Sequence, residues 1–148
     1  MARQLKHEAK PPLRDQVAAT GAEIRQQYGP QIGWQELLQL LADRRYVRFP
    51  CDIQFDDGPL LPGEFAHPVP KGERPEAGYS ICVHPRFAAQ LSVVPYLVLH
   101  QLVLINFGPG ATADDAETFG SLALGLSKDA YYQALCELAA QISGDELV

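Results

Sequence analysis

The sequence predicts an α+β fold: a small antiparallel sheet packed on a central buried helix, with further helices at both ends. Three observations carry this. Residues 92–107, SVVPYLVLHQLVLINF, are apolar on every side of a helix, which places them in the middle of a core. Two stretches, 45–55 and 78–84, alternate apolar and polar side chains with period two, as half-buried strands do. The other apolar residues recur at helical spacing on either side of these blocks. With 148 residues, 47% hydrophobic and 20% charged, the chain is long and apolar enough for one core.

Taken in order, residues 1–13 are polar and contain Pro11-Pro12, which reads as a flexible N-terminal arm preceding a single domain over 14–148. Residues 14–27 form a modest amphipathic helix, weakened by Gly21 and stopped by Tyr28-Gly29-Pro30. Residues 33–43 place Trp34, Leu37, Leu38 and Leu41 on one helical face. In 45–55, Pro50 argues for an edge position or a bulge. Residues 58–77 hold five of the twelve prolines and three of the twelve glycines, and read as a long loop with a short strand near Glu64-Phe65-Ala66. The strand 78–84 is expected to pair antiparallel with 45–55. Ser92 is expected to cap the central helix, Pro95 fits its first turn, and Gly108 ends it. Thr112 to Asp115 is a capping-box start with Asp in place of Glu, and Gly125 fits the stop of that helix. A last helix runs from Ser127 to about Ile142.

The net charge is −6, which disfavours a nucleic-acid backbone as partner. Val93 to Phe107 is interrupted by Pro95, His100, Gln101 and Asn106, too short and too polar for a membrane span. The start of the chain lacks the apolar segment of a secretory signal, so the cytoplasm is the expected compartment. Three scattered cysteines, Cys51, Cys82 and Cys136, make neither a disulfide framework nor a CxxC metal knuckle. Cys82 and His84 lie two apart on a strand and so share a face, yet no oxyanion-hole pattern accompanies them. Asp56-Asp57 with Glu64 is a candidate carboxylate cluster, but turn chemistry alone explains Asp-Asp-Gly.

The order from Tyr79 to Leu135 is a strand (YSICVHP), a buried helix with a central histidine (VPYLVLHQLVLINFG), an acidic capped helix, and the start of another helix. It resembles the core of small gluzincin-type zinc peptidases, in which a helix bearing H-E-x-x-H follows an edge strand and a later helix adds an acidic ligand. Ala116, Phe119 and Gly120 nearly match the alanine–phenylalanine pattern of that later helix. The resemblance implies a zincin-like fold. It also implies lost chemistry, because the segment here reads His100-Gln101-Leu102-Val103-Leu104. Gln101 stands where a glutamate would take a proton from metal-bound water, and an amide cannot accept it. Leu104 stands where the second histidine would bind zinc. Glu117 or Asp115 matches the acidic ligand.

Two functions follow from this reading. One is a non-catalytic protein on a degenerate metallopeptidase-like scaffold, without a cofactor, that binds a protein partner or associates with itself, with His67, Gln101 and Asp115 on the binding surface. The other is a metal-dependent hydrolase, with zinc as the ion, in which His84, His100 and Glu117 converge as a non-standard ligand set. A third, a small-molecule pocket beneath the Pro/Gly-rich loop, stays open beside them.

Overall fold

The computed structural model of the chain describes residues 12–146. Among these residues five α-helices accompany a three-stranded sheet: α1 (Leu13–Tyr28), α2 (Trp34–Leu41), β1 (Cys51–Phe55), β2 (Ala66–Pro70), β3 (Tyr79–Val83), α3 (Val94–Phe107), α4 (Ala113–Leu124) and α5 (Lys128–Glu146). The fold class is α+β, as expected. Of the expected arm, residues 1–11 lie outside the described residues, while Leu13 already opens α1.

α3 is the centre. Leu97, Val98, Leu99 and Leu102 are fully buried, and the helix packs on β2, β3 and α4, with α5, α1 and α2 completing the shell. Its start differs from expectation. Ser92 sits in a short 3-10 turn, Leu91–Val93, and Val93 occupies the cap position without a side-chain bond. The preceding turn already directs the chain into the helix, so no hydroxyl is required. Thr112 and Asp115 do form the reciprocal capping box, with Asp115 N–H donating to Thr112 Oγ1 at 3.1 Å and Thr112 N–H donating to Asp115 Oδ2 at 2.9 Å. Gly125 ends α4 in the left-handed region, at φ 72°. Gly21 is not simply a weak point of α1. It is buried against α4, where a Cβ would lie 2.8 Å from the Phe119 carbonyl oxygen.

The sheet corrects the expected topology. Its order is β1-β3-β2, with β1 parallel to β3 and β2 antiparallel to it. The expected antiparallel pairing of 45–55 with 78–84 fails because the Pro/Gly-rich segment contains a full strand. Reversing through β2 brings the chain back parallel to β1. β2 holds Pro68 and Pro70, the residues that disguised it as loop. His84 N–H donates to Phe65 O and Lys71 N–H to Gly78 O, both at 2.9 Å. Residues 67 and 69 therefore also face β3, and 66, 68 and 70 face outward. Neither proline occupies a position whose N–H the ladder needs.

Residues 45–50 are likewise not strand. Tyr46 and Val47 N–H groups fold back onto Asp43 O in a turn. Asn106 of α3 donates to Tyr46 O at 2.6 Å and accepts from Arg48 N–H at 2.9 Å, taking the place of a neighbouring strand. Among the described residues no helix is long and apolar enough to cross a membrane.

Candidate functional site

A cleft of about 450 Å³ opens beside the middle of α3. One wall is His100, Gln101, Val103 and Leu104 of α3; the opposite wall is the run Gly63–His67 that enters β2; Ala111 to Ala113, Ala116 and Ala139 close the end. The sheet register places this run over α3: Ala66 is buried with Ile81 and Val83, and the Phe65 ring meets the His100 ring edge-on, centroids 6.0 Å apart at 85°. The lining is mostly apolar, with its few polar groups gathered at His100, Gln101, Glu64, His67 and Thr112. Thr112 and Ala113 form the N-terminus of α4, where helix N–H groups point out of the helix without intrahelical acceptors.

His100 and Gln101 set the character of this cleft. Burial lowers the His100 pKa below its ordinary value, so its ring is neutral at neutral pH. Its nitrogens have no hydrogen-bond partner among the described residues. Gln101 is 6% exposed, and its carboxamide is also unpartnered among the described residues. The other buried polar residues are all bonded: Asn106 to residues 46 and 48, Asp115 to Thr112, and Ser121 to Thr118 O at 3.1 Å. Buried polar groups are bonded as a rule, so an exception at the wall of a cleft points toward an external partner. No family model, no curated protein and no solved structure matches the chain.

The residues expected to gather divide among three places. His100, Gln101 and His67 share the cleft. His84 borders a different depression with Asp57, Leu60, Leu61 and Pro62, and its Nδ1 accepts the Arg86 N–H at 3.1 Å, capping the turn after β3. Glu117 is half-buried on α4, its charge felt by Tyr131 and Tyr132. Among the described residues no three His, Cys, Asp or Glu side chains gather as a metal would require, so His84, His100 and Glu117 do not meet as a ligand set. The reason is geometric: His84 ends the central strand while His100 faces the edge strand beyond it. Asp115, expected on the binding surface, is committed to the α4 cap.

Glu64 was legible only as a member of a carboxylate cluster. Its Oε1 accepts the Leu61 N–H at 2.9 Å and its Oε2 lies 3.6 Å from His67 Nδ1. Asp56 instead accepts the Gly58 N–H at 2.9 Å in its own turn. Cys82 is buried, which raises its thiol pKa; burial likewise pushes Cys51 up to about 11. Both stay protonated at neutral pH, and with His84 Nδ1 engaged, no Cys82–His84 nucleophile is set up. Phe65 and Ala139 also line the cleft; the sequence marks Phe65 only within the short strand expected near Glu64-Phe65-Ala66, and Ala139 only on the apolar face of the last helix.

Proposed function

We propose that this chain is a non-catalytic binding domain on a degenerate zincin-like scaffold, whose cleft receives an apolar side chain of a protein partner together with its adjoining peptide amide. The observation that carries this is the carboxamide of Gln101 at the cleft wall, buried and without a partner among the described residues. A carboxamide offers one acceptor and two donors, the complement of a peptide group. Leaving it unbonded costs about 1–3 kcal/mol, which a bound amide would recover. The alanines, Val103 and Leu104 supply an apolar bed, and the α4 N-terminus favours a carbonyl oxygen. Support for lost chemistry comes from the same wall. His100, Gln101 and Leu104 all face one cleft, as the residues of H-E-x-x-H would, yet neither the amide nor the hydrocarbon can activate water.

The test is a titration of isotopically labelled protein with N-acetyl-leucinamide, following the side-chain amide resonances of Gln101 and the ring of His100. Saturable shifts at both, lost in Gln101→Leu while the fold is retained, are expected. Shifts absent at Gln101, or unchanged binding in Gln101→Leu, would remove the proposal.

A further inference from the structure

The two edges of the sheet are built differently, and the difference points to a second copy of this chain. In the parallel ladder, Tyr79 N–H donates to Pro50 O at 2.8 Å and Asp56 N–H donates to Val83 O at 3.0 Å. Residues 50 and 56 thus face β3, and by the period of two so do Asp52 and Gln54. Cys51, Ile53 and Phe55 direct their N–H and C=O groups away from the sheet. None of these six groups has a partner among the described residues. On the opposite edge, Ala66, Pro68 and Pro70 face outward, and only Ala66 has an N–H to offer. Proline is a familiar guard on an exposed edge, and β2 carries two. β1 carries none at its outward positions.

We propose that β1 is the seam of a two-fold dimer, in which β1 of a second copy pairs antiparallel with it, centred on Ile53, and merges the two sheets into one. This register sets Ile53 opposite Ile53 and Cys51 opposite Phe55 of the second copy, so every outward N–H and C=O on both strands finds a partner. On the solvent face it sets Asp52 opposite Gln54, a carboxylate beside a carboxamide. Sliding by one pair in one direction brings Asp52 against Asp52 and leaves outward groups of Phe55 without a strand partner. Sliding the other way sets Gln54 against Gln54 and strands the outward groups of Cys51. The self-complementary register is therefore also the one that keeps Asp52, which Lys71 already pairs within its own chain, from lying against its own copy. The other face of the seam is apolar: Cys51, Ile53 and Phe55 are half-buried on the core side, where Trp34 stacks on Phe55 with centroids 6.2 Å apart.

Sedimentation equilibrium of the full chain tests this, with three variants. Gln54 is exposed, so its substitutions leave the fold intact. Gln54→Asp places like charges across the seam twice and should weaken the dimer about tenfold; Gln54→Lys should tighten it by a similar factor. Added salt should strengthen the wild-type dimer by screening its net charge. Ile53→Pro removes an outward donor that the β1–β3 ladder does not use, and should give a folded monomer by circular dichroism and sedimentation. A wild-type chain that stays monomeric up to about millimolar concentration would overturn the proposal. So would a dimer indifferent to both Gln54 substitutions, or one that persists in folded Ile53→Pro.

Discussion

Gln101 and Asn106 are two buried carboxamides on one helix, and among the described residues only Asn106 is bonded. The contrast separates a structural amide from one available to a ligand. Asn106 satisfies a backbone donor and a backbone acceptor in a segment that lacks a neighbouring strand, so its loss orphans both. Asn106→Leu should therefore destabilise the fold by about 2–3 kcal/mol. Gln101→Leu removes an unbonded polar group at similar volume and should be neutral or stabilising by up to about 1 kcal/mol. Urea unfolding of both variants checks the pair. A large loss in Gln101→Leu would mean that the amide serves the fold.

His100 gives the cleft a pH dependence of definite sign. Its folded pKa lies below 6.5 because burial disfavours the imidazolium. Above that value both folded and unfolded chains hold a neutral ring, and it contributes nothing to the slope. Between 6.5 and the folded pKa, the unfolded chain takes up a proton that the folded chain refuses, so acidification costs stability. Stability should fall as pH drops below about 7, and the fall should be shallower in His100→Leu. An NMR titration of the ring gives the folded pKa directly; a value at or above 6.5 would contradict the burial seen here.

Asp43 acts in the opposite sense. Arg45 bonds its carboxylate through Nε at 3.0 Å and Nη2 at 2.8 Å, and the Tyr28 hydroxyl donates to it at 2.6 Å. These partners hold its pKa well below the ordinary 3.8. A depressed carboxylate contributes stability that is present above its unfolded pKa and is lost as pH falls toward the folded one. Asp43→Asn should thus be less stable than wild type at neutral pH, with the two unfolding curves converging in strong acid. A constant difference at all pH values would show that the ion pair and the phenol bond carry no proton linkage.

What the sequence made legible follows the range of the interactions. α3 was readable because most of its fourteen consecutive residues are apolar and ten are buried, and the Thr112–Asp115 cap because its partners lie three apart. β2 was not, because Pro68 and Pro70 are tolerable only at outward positions, and which positions face outward depends on the register with β3. The turn at 45–50 mimicked a strand since Asn106, its actual partner, is about sixty residues away. At the cleft, His100 and Gln101 stand out as a broken motif, and their neighbour His67 is legible as a histidine of the Pro/Gly-rich segment. The separation of His84 could not be read, since it rests on which strand is central.

The packing of α4 on α5 turns on Gly120. A Cβ there would lie 2.3 Å from the Tyr131 ring, a fully buried phenol whose hydroxyl donates to Tyr96 O at 2.6 Å. Gly120→Ala gains helix propensity but must push α5 aside, and the clash should win, costing about 1–3 kcal/mol. Tyr131→Phe removes a second hydrogen bond from a helix carbonyl that His100 N–H already engages, so it should cost about 1 kcal/mol on its own. Thermal unfolding of the two variants should rank them in that order; a stabilised Gly120→Ala would show that the helices have slack.

The proposed descent from a metal-binding helix makes a stricter demand. His100 and Leu104 are one turn apart and both line the cleft, and Leu104 is 42% exposed. Leu104→His should then place two imidazoles on one face, at the spacing that grips zinc, with Glu64 on the opposite wall as the nearest acidic group of the lining. Substituting an exposed residue leaves the core untouched. The variant should bind Co²⁺ with micromolar affinity and a tetrahedral visible spectrum, while the parent chain and Leu104→His with His100→Ala do not. Adding Gln101→Glu supplies the missing base and is the variant in which peptide cleavage would be sought. A folded Leu104→His chain with no cobalt spectrum would mean that the α3 wall lacks the geometry of a zinc helix, and the zincin-like reading would fall while the carboxamide cleft and its ligand would stand or fall on their own titration.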